Sequence, residues 1–70
     1  MMLSYDPLWI TLARKKMKKK DLCEAANISS ATVAKMGKDE YVALEIIDRI
    51  CVALDCGIGD VIMVVHGDPH

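Results

Sequence analysis

Ser29, Ser30, Thr32 and Lys35 fall within seven residues of one stretch, "NISSATVAKMGKDE", residues 27–40. Hydroxyls and an ammonium bunched in this way can donate to phosphate oxygens and base edges, and the methyls of Ala31 and Thr32 suit a thymine methyl. A helix in this stretch has little to bury except Val33 and Met36, so most of its surface is left free. Three consecutive lysines, Lys18, Lys19 and Lys20, come before the stretch, and Lys38 stands near its end.

A second constellation points elsewhere. Cys51, Cys56, His66 and His70 spell C-x4-C-x9-H-x3-H, a near miss to a zinc-finger spacing. Cys51, however, lies on the apolar stripe of a helical pattern, where a free cysteine acts as a small hydrophobe. His70 is the last residue. Cys23 and Cys56 have no histidine placed to orient them as nucleophiles, and Asp39-Glu40 reads as a solvated loop. There is no glycine-rich phosphate loop and no G-x-S-x-G. The expectation is no enzyme, no metal, no cofactor and no small-molecule substrate.

The elements that must position the first set are short helices. Asp6-Pro7 reads as a helix start, with Asp6 as cap and Pro7 at the first helical position. Leu8, Trp9, Leu12 and Ala13 form its stripe, and Arg14, Lys15 and Lys16 sit in its last turn. Met17 to Lys20 opens a second helix whose buried side is Leu22, Ala25 and Ala26. Asn27 suits a left-handed C-terminal turn, Ile28 pins the turn, and Ser29 caps a third helix over about 30–36. Gly37 can end it. A fourth helix covers about 44–54, with Leu44, Ile47, Ile50, Cys51 and Leu54 at helical spacing and Ala43 as a poor cap. Asp55-Cys56-Gly57 ends it, and a short fifth helical turn is expected through about Met63. The β-branched run "VIMVV" leaves room for Val64 and Val65 to extend as a strand that joins the two ends of the chain.

Seventy residues make one small domain, 1–70, with an ordered core over about 5–65 and a polar tail, 66–70. Three cysteines, an odd number, suit a reduced, intracellular protein. There is no basic-then-apolar leader, and no apolar run approaches about 18 residues. A soluble, cytoplasmic chain with no membrane partner is expected. Charge is divided unevenly. Residues 1–38 hold eight Lys/Arg and three acids; residues 39–70 hold one Arg and seven acids. The bland explanation is chance clustering; the other is a polyanion partner on the basic side.

Two short helices, small residues in the first, a left-handed residue in the turn and then a hydroxyl cap define a helix-turn-helix. Leu22, Cys23, Ala26, Ile28, Val33 and Met36 can make its internal contact. Ser29, Ser30, Ala31, Thr32 and Lys35 then face outwards. Such a unit crosses the DNA backbone with its first helix and enters the major groove with its second. The backbone N–H groups at both helix starts can hold phosphates. A solvated face on a structural hairpin is the alternative.

The whole chain resembles the Cro and phage-repressor class of helix-turn-helix proteins, the xenobiotic-response-element (XRE) family, and its short stand-alone members most of all. The segments "SYDPLW", "DLCEAANISSATVAKM" and "RICVALDCGIGDVI" carry the likeness. It implies an all-α, compact five-helix lambda-repressor-like fold, transcriptional regulation, and binding to an operator as a dimer. Carried over by position, it places the first contacts at Lys19 and Lys20 and the recognition positions at Ser29, Ser30, Ala31, Thr32 and Lys35. Lys18 and Lys38 complete the expected DNA-binding set. The chain departs from the family pattern at three points. Asn27 stands where many members have Gly. Cys23 stands where many have Ala. Three lysines open helix two, where Gln or Thr is common; they favour phosphate contact there over base reading.

The function expected is a DNA-binding transcriptional regulator, a repressor, with helix three in the major groove of double-stranded DNA. The alternative is a protein-interaction or antitoxin-like module that keeps the fold without a strong DNA role. Of Trp9 and Ile10, Ile10 is expected to point outwards, either as a contact of a homodimer or as an ordinary surface residue. "VIMVV" is expected to close the core rather than to form an exchange surface.

Overall fold

The structure, a computed structural model, describes residues 2–66. The order is β1 (Met2–Ser4), α1 (Asp6–Arg14), α2 (Lys19–Ala26), α3 (Ser30–Gly37), α4 (Leu44–Leu54), a single 3₁₀ turn (Ile58–Asp60) and β2 (Met63–Val65). β1 and β2 form a two-stranded antiparallel ribbon in the register Met2↔Val65, Leu3↔Val64 and Ser4↔Met63.

The all-α, five-helix expectation is therefore corrected: among the described residues there are four α-helices and a small sheet. The fifth helix shrinks to the 3₁₀ turn. Beyond it, "MVV" pairs with the chain start, as the β-branched run permits. The core-closing role expected of "VIMVV" holds for Val61, which is fully buried, whereas Met63, Val64 and Val65 are exposed. The tail expected at 66–70 lies, beyond His66, outside the described residues.

Leu8, Leu12, Leu22, Ala26, Ile28, Val33, Met36, Ile47, Ile50, Leu54 and Val61 form one buried cluster with Tyr5. α2 lies against α4, where Leu22 and Ala26 meet the side of α4 that carries Ile47, Ile50 and Leu54. Leu44, expected on that stripe, is 73 % exposed. It is the first residue of its helix and lies beyond the edge of the cluster. Ile10 does point outwards, and Trp9 is half-buried.

The helix ends share one device. Lys16, Asn27, Asp39 and Asp55 are left-handed, with φ between 52° and 57°. Next to each, a backbone N–H reaches back five residues: Met17 to Leu12 at 2.9 Å, and Ile28 to Cys23, Glu40 to Lys35 and Cys56 to Cys51 at 3.0 Å each. These are Schellman closures, which satisfy the last helical carbonyls. α3 ends at Gly37, as expected, with the left-handed residue following at Asp39; α4 closes at its cap Asp55, the first residue of the expected Asp55-Cys56-Gly57 stop.

The first helix starts one residue earlier than the Asp6 cap implies. Asp6 and Pro7 lie in its first turn, and Asp6 N–H donates to the Ser4 hydroxyl at 3.1 Å. Asp6 thus acts as a first-turn acid, favourable at the positive end of the helix. Long-range hydrogen bonds tie the elements together. The Tyr5 hydroxyl donates to Glu40 O at 2.8 Å, Tyr5 N–H to Asp39 Oδ1 at 3.2 Å, and the Thr11 hydroxyl to Asp60 O at 2.8 Å.

Candidate nucleic-acid interface

α2 and α3 are built from the turn outwards. Asn27 takes φ 55° and ψ 51°, a conformation that Asn tolerates better than most residues. Arg49 Nη1 donates to Asn27 O at 3.3 Å, while Nη2 pairs with Glu45 at 2.7 Å. The same arginine therefore braces the turn against α4. Ile28 is buried directly after the turn. Ser29 is extended and accepts the Thr32 N–H at 3.1 Å, which caps α3 as its residue type predicts.

On α3, Val33 and Met36 are buried, and Ser30, Ala31, Ala34, Lys35 and Lys38 beyond it are exposed. Thr32 differs from the outward placement expected of it. It is half-buried, and its hydroxyl lies 2.9 Å from that of Ser29. The reason is local: its position three residues after the cap turns it back over the helix start.

α2 begins at Lys19 rather than Met17. Lys18 is its extended cap residue, and its N–H donates to Asp21 Oδ2 at 2.8 Å. Asp21 thereby satisfies one backbone donor and sets an acid in the first turn. Lys18, Lys19 and Lys20 are all exposed. The Lys19 ammonium lies 4.7 Å from the centroid of the Trp9 ring. Sequence reasoning missed this contact because it crosses from α1 to α2 and has no signature in spacing.

Between α2 and α3 runs an open cleft of about 580 Å³, lined by Lys19, Lys20, Cys23, Glu24, Ser30, Val33 and Ala34. The structure thus brings the lysines at the start of α2 and the exposed side of α3 to the two walls of one cleft. Cys23 and Val33 form its floor chemistry, and Ser30, Lys19 and Lys20 supply donors. Glu24 and Ala34, which the sequence reading passed over, lie here as well; both follow from four-residue helical spacing after Lys20 and Ser30.

Cys51 and Cys56 are half-buried free thiols. Burial, foremost, pushes the Cys56 thiol up, with neighbouring Cys51 and Asp60 adding to it and Lys15 opposing. Among the described residues no group of three or more His, Cys, Asp or Glu is arranged to hold a metal ion; His70 is not among them. No helix of the described residues is long and apolar enough to cross a membrane.

This geometry is that of a helix-turn-helix, with α2 and α3 as its two helices. Residues 7–66 match the family model described as the Cro/C1-type HTH DNA-binding domain, and the chain belongs to that family. Among solved structures, the chain is similar to the one titled "Crystal structure of transcriptional regulator VanUg, Form II", with 44 % identity and a TM-score of 0.84 over 89 % of this chain and 83 % of that one. No curated protein matches the chain.

Proposed function

We propose that this chain is a transcriptional regulator that binds double-stranded DNA as a single helix-turn-helix domain and acts as a repressor. α3 enters the major groove, with Ser30, Ala31 and Lys35 towards the bases. Ser29 and Thr32 lie at the helix start, nearer the phosphates. Lys18, Lys19, Lys20 and Lys38 neutralise the backbone on either side. The observation that carries this reading is the division of α3. Val33 and Met36 are buried while Ser30, Ala31 and Lys35 are exposed, and Ser30 shares a cleft with Lys19 and Lys20 of α2.

Base reading on this surface is light. One serine, an alanine and one lysine offer few bidentate contacts, so phosphate contacts supply much of the affinity. The exposed apolar residues Leu44 and Val52 on α4, and Ile10 on α1, favour a homodimer. Its half-sites would lie about 34 Å apart, one helical turn. The site of action is then the cytoplasm, where DNA is accessible.

Selection of bound sequences from a random duplex pool tests the proposal. Enrichment of one site supports it, and a palindromic site supports the dimer. A pool recovered without enrichment, or not recovered at all, contradicts operator binding and favours the protein-interaction alternative.

A further inference from the structure

The Trp9–Lys19 contact has geometry that a solvated surface lysine lacks. Trp9 is half-buried on α1, and Lys19 is the first residue of α2. The connection between them reverses direction at left-handed Lys16 and brings the ammonium over the ring, 4.7 Å from its centroid. A Cβ built on Gly37 would lie 4.0 Å from the same nitrogen, so the ammonium also stands beside the last turn of α3. Three helices thus converge on one charge. Among the described residues no carboxylate comes within ion-pair distance of it. Asp21, the acid nearest in sequence, accepts the Lys18 N–H instead.

An aromatic face attracts a cation through its quadrupole and occupies one side of it. The remaining N–H groups of Lys19, an exposed residue, stay free to donate. They do so at the N-terminal turn of an eight-residue helix, whose first amide N–H groups have no partner within the helix. A long flexible side chain that is already held loses less freedom when it meets its partner.

We propose that Trp9 is a positioning residue of the DNA interface: it holds Lys19 in the conformation that meets a DNA phosphate at the start of α2. The proposal rests on the DNA-binding reading above and assigns a role to a residue of α1, outside the helix-turn-helix itself.

The test uses the full chain and a fluorescein-labelled mixed-sequence duplex, since a phosphate contact does not depend on sequence. Affinity is measured across a salt series for the wild type, Trp9→Leu, Lys19→Met and the double variant. Trp9→Leu is expected to weaken binding about two- to five-fold, the size of an exposed cation–π contact, and to leave the salt dependence unchanged. Lys19→Met is expected to lower the slope of log affinity against log salt by about one. In the Lys19→Met background, Trp9→Leu should cost nothing further. Additive losses, or a slope unchanged by Lys19→Met, would overturn the proposal. Trp9→Phe retains packing and a weaker aromatic face, and covers the case in which the leucine variant does not fold. Its smaller loss must also vanish with Lys19→Met, and persistence there overturns the proposal equally. A wild-type protein that fails to bind at low salt contradicts the DNA-binding reading itself; wild-type binding with additive losses contradicts only the role of Trp9.

Discussion

The hydroxyls of Ser29 and Thr32 lie 2.9 Å apart, and the Ser29 oxygen also accepts the Thr32 backbone N–H at 3.1 Å. One serine therefore closes the start of α3 twice. Ser29→Ala removes both bonds and is expected to cost about 1 kcal/mol of stability, the usual loss for a helix cap. Urea unfolding followed by circular dichroism reads this as a lower midpoint with unchanged slope. An unchanged midpoint would show that the cap contributes nothing.

Lys35 is exposed in the last turn of α3. Lys35→Glu reverses charge against DNA and also sets an anion at the negative end of the helix. The second effect costs at most about 1 kcal/mol, so the domain stays folded. Binding to duplex DNA should be lost while the helical signal is retained. Retained affinity would remove α3 from the interface.

Four left-handed residues without glycine are an opportunity for stabilisation. Lys16, with φ 57°, bears the steric cost of its Cβ and lacks the local side-chain hydrogen bonds that help Asn and Asp there. Lys16→Gly is expected to raise stability by about 1 kcal/mol. Asn27→Gly should gain less, because Asn tolerates the conformation better. Thermal melts of both variants check the order. A lower melting temperature for Lys16→Gly would contradict the closure described for α1.

Tyr5 sits fully buried, with its hydroxyl donating to Glu40 O at 2.8 Å. Burial raises its pKa above the ordinary 10.0; the Asp39 carboxylate adds to this and the Val42 backbone opposes it. The folded state therefore holds the phenol proton more tightly than the unfolded chain does. The stability this group contributes is complete below the unfolded value and is lost as pH rises through the folded one. Tyr5→Phe should lower stability by about 1 kcal/mol at neutral pH, the net worth of a hydrogen bond. It should also flatten the alkaline decline relative to the wild type. Parallel declines in the two proteins would contradict the assignment.

Much of this architecture was legible because it is local. Asn27, Ile28 and Ser29 announce the turn by residue type, and each takes the conformation or burial its chemistry implies. Ala43 was legible as an uncapped start for the same reason: no side-chain cap forms there. Distant pairing was legible only as an option. The strand that Val64 and Val65 were free to form needed Met2–Ser4, about sixty residues away in the chain, and a β-branched run alone suits a buried helical turn equally well. Two helix stops were legible as well: α3 ends at Gly37, and α4 closes at Asp55, the first residue of the expected Asp55-Cys56-Gly57 stop. In the candidate interface, residue types identified the lysines and hydroxyls. The turn of Thr32 back onto its own cap is local but was not foreseen; the seating of Lys19 on Trp9 arises from packing across elements, which spacing does not encode.

On the proposed reading, the lysines of α2 and α3 meet a polyanion. The most direct test is the affinity of the purified chain for labelled duplex DNA at a series of salt concentrations. If Lys18, Lys19, Lys20 and Lys38 each neutralise a phosphate, log affinity falls against log salt with a slope of about −3 to −4 per chain. Affinity that does not change with salt, or no binding at low salt, would contradict the account.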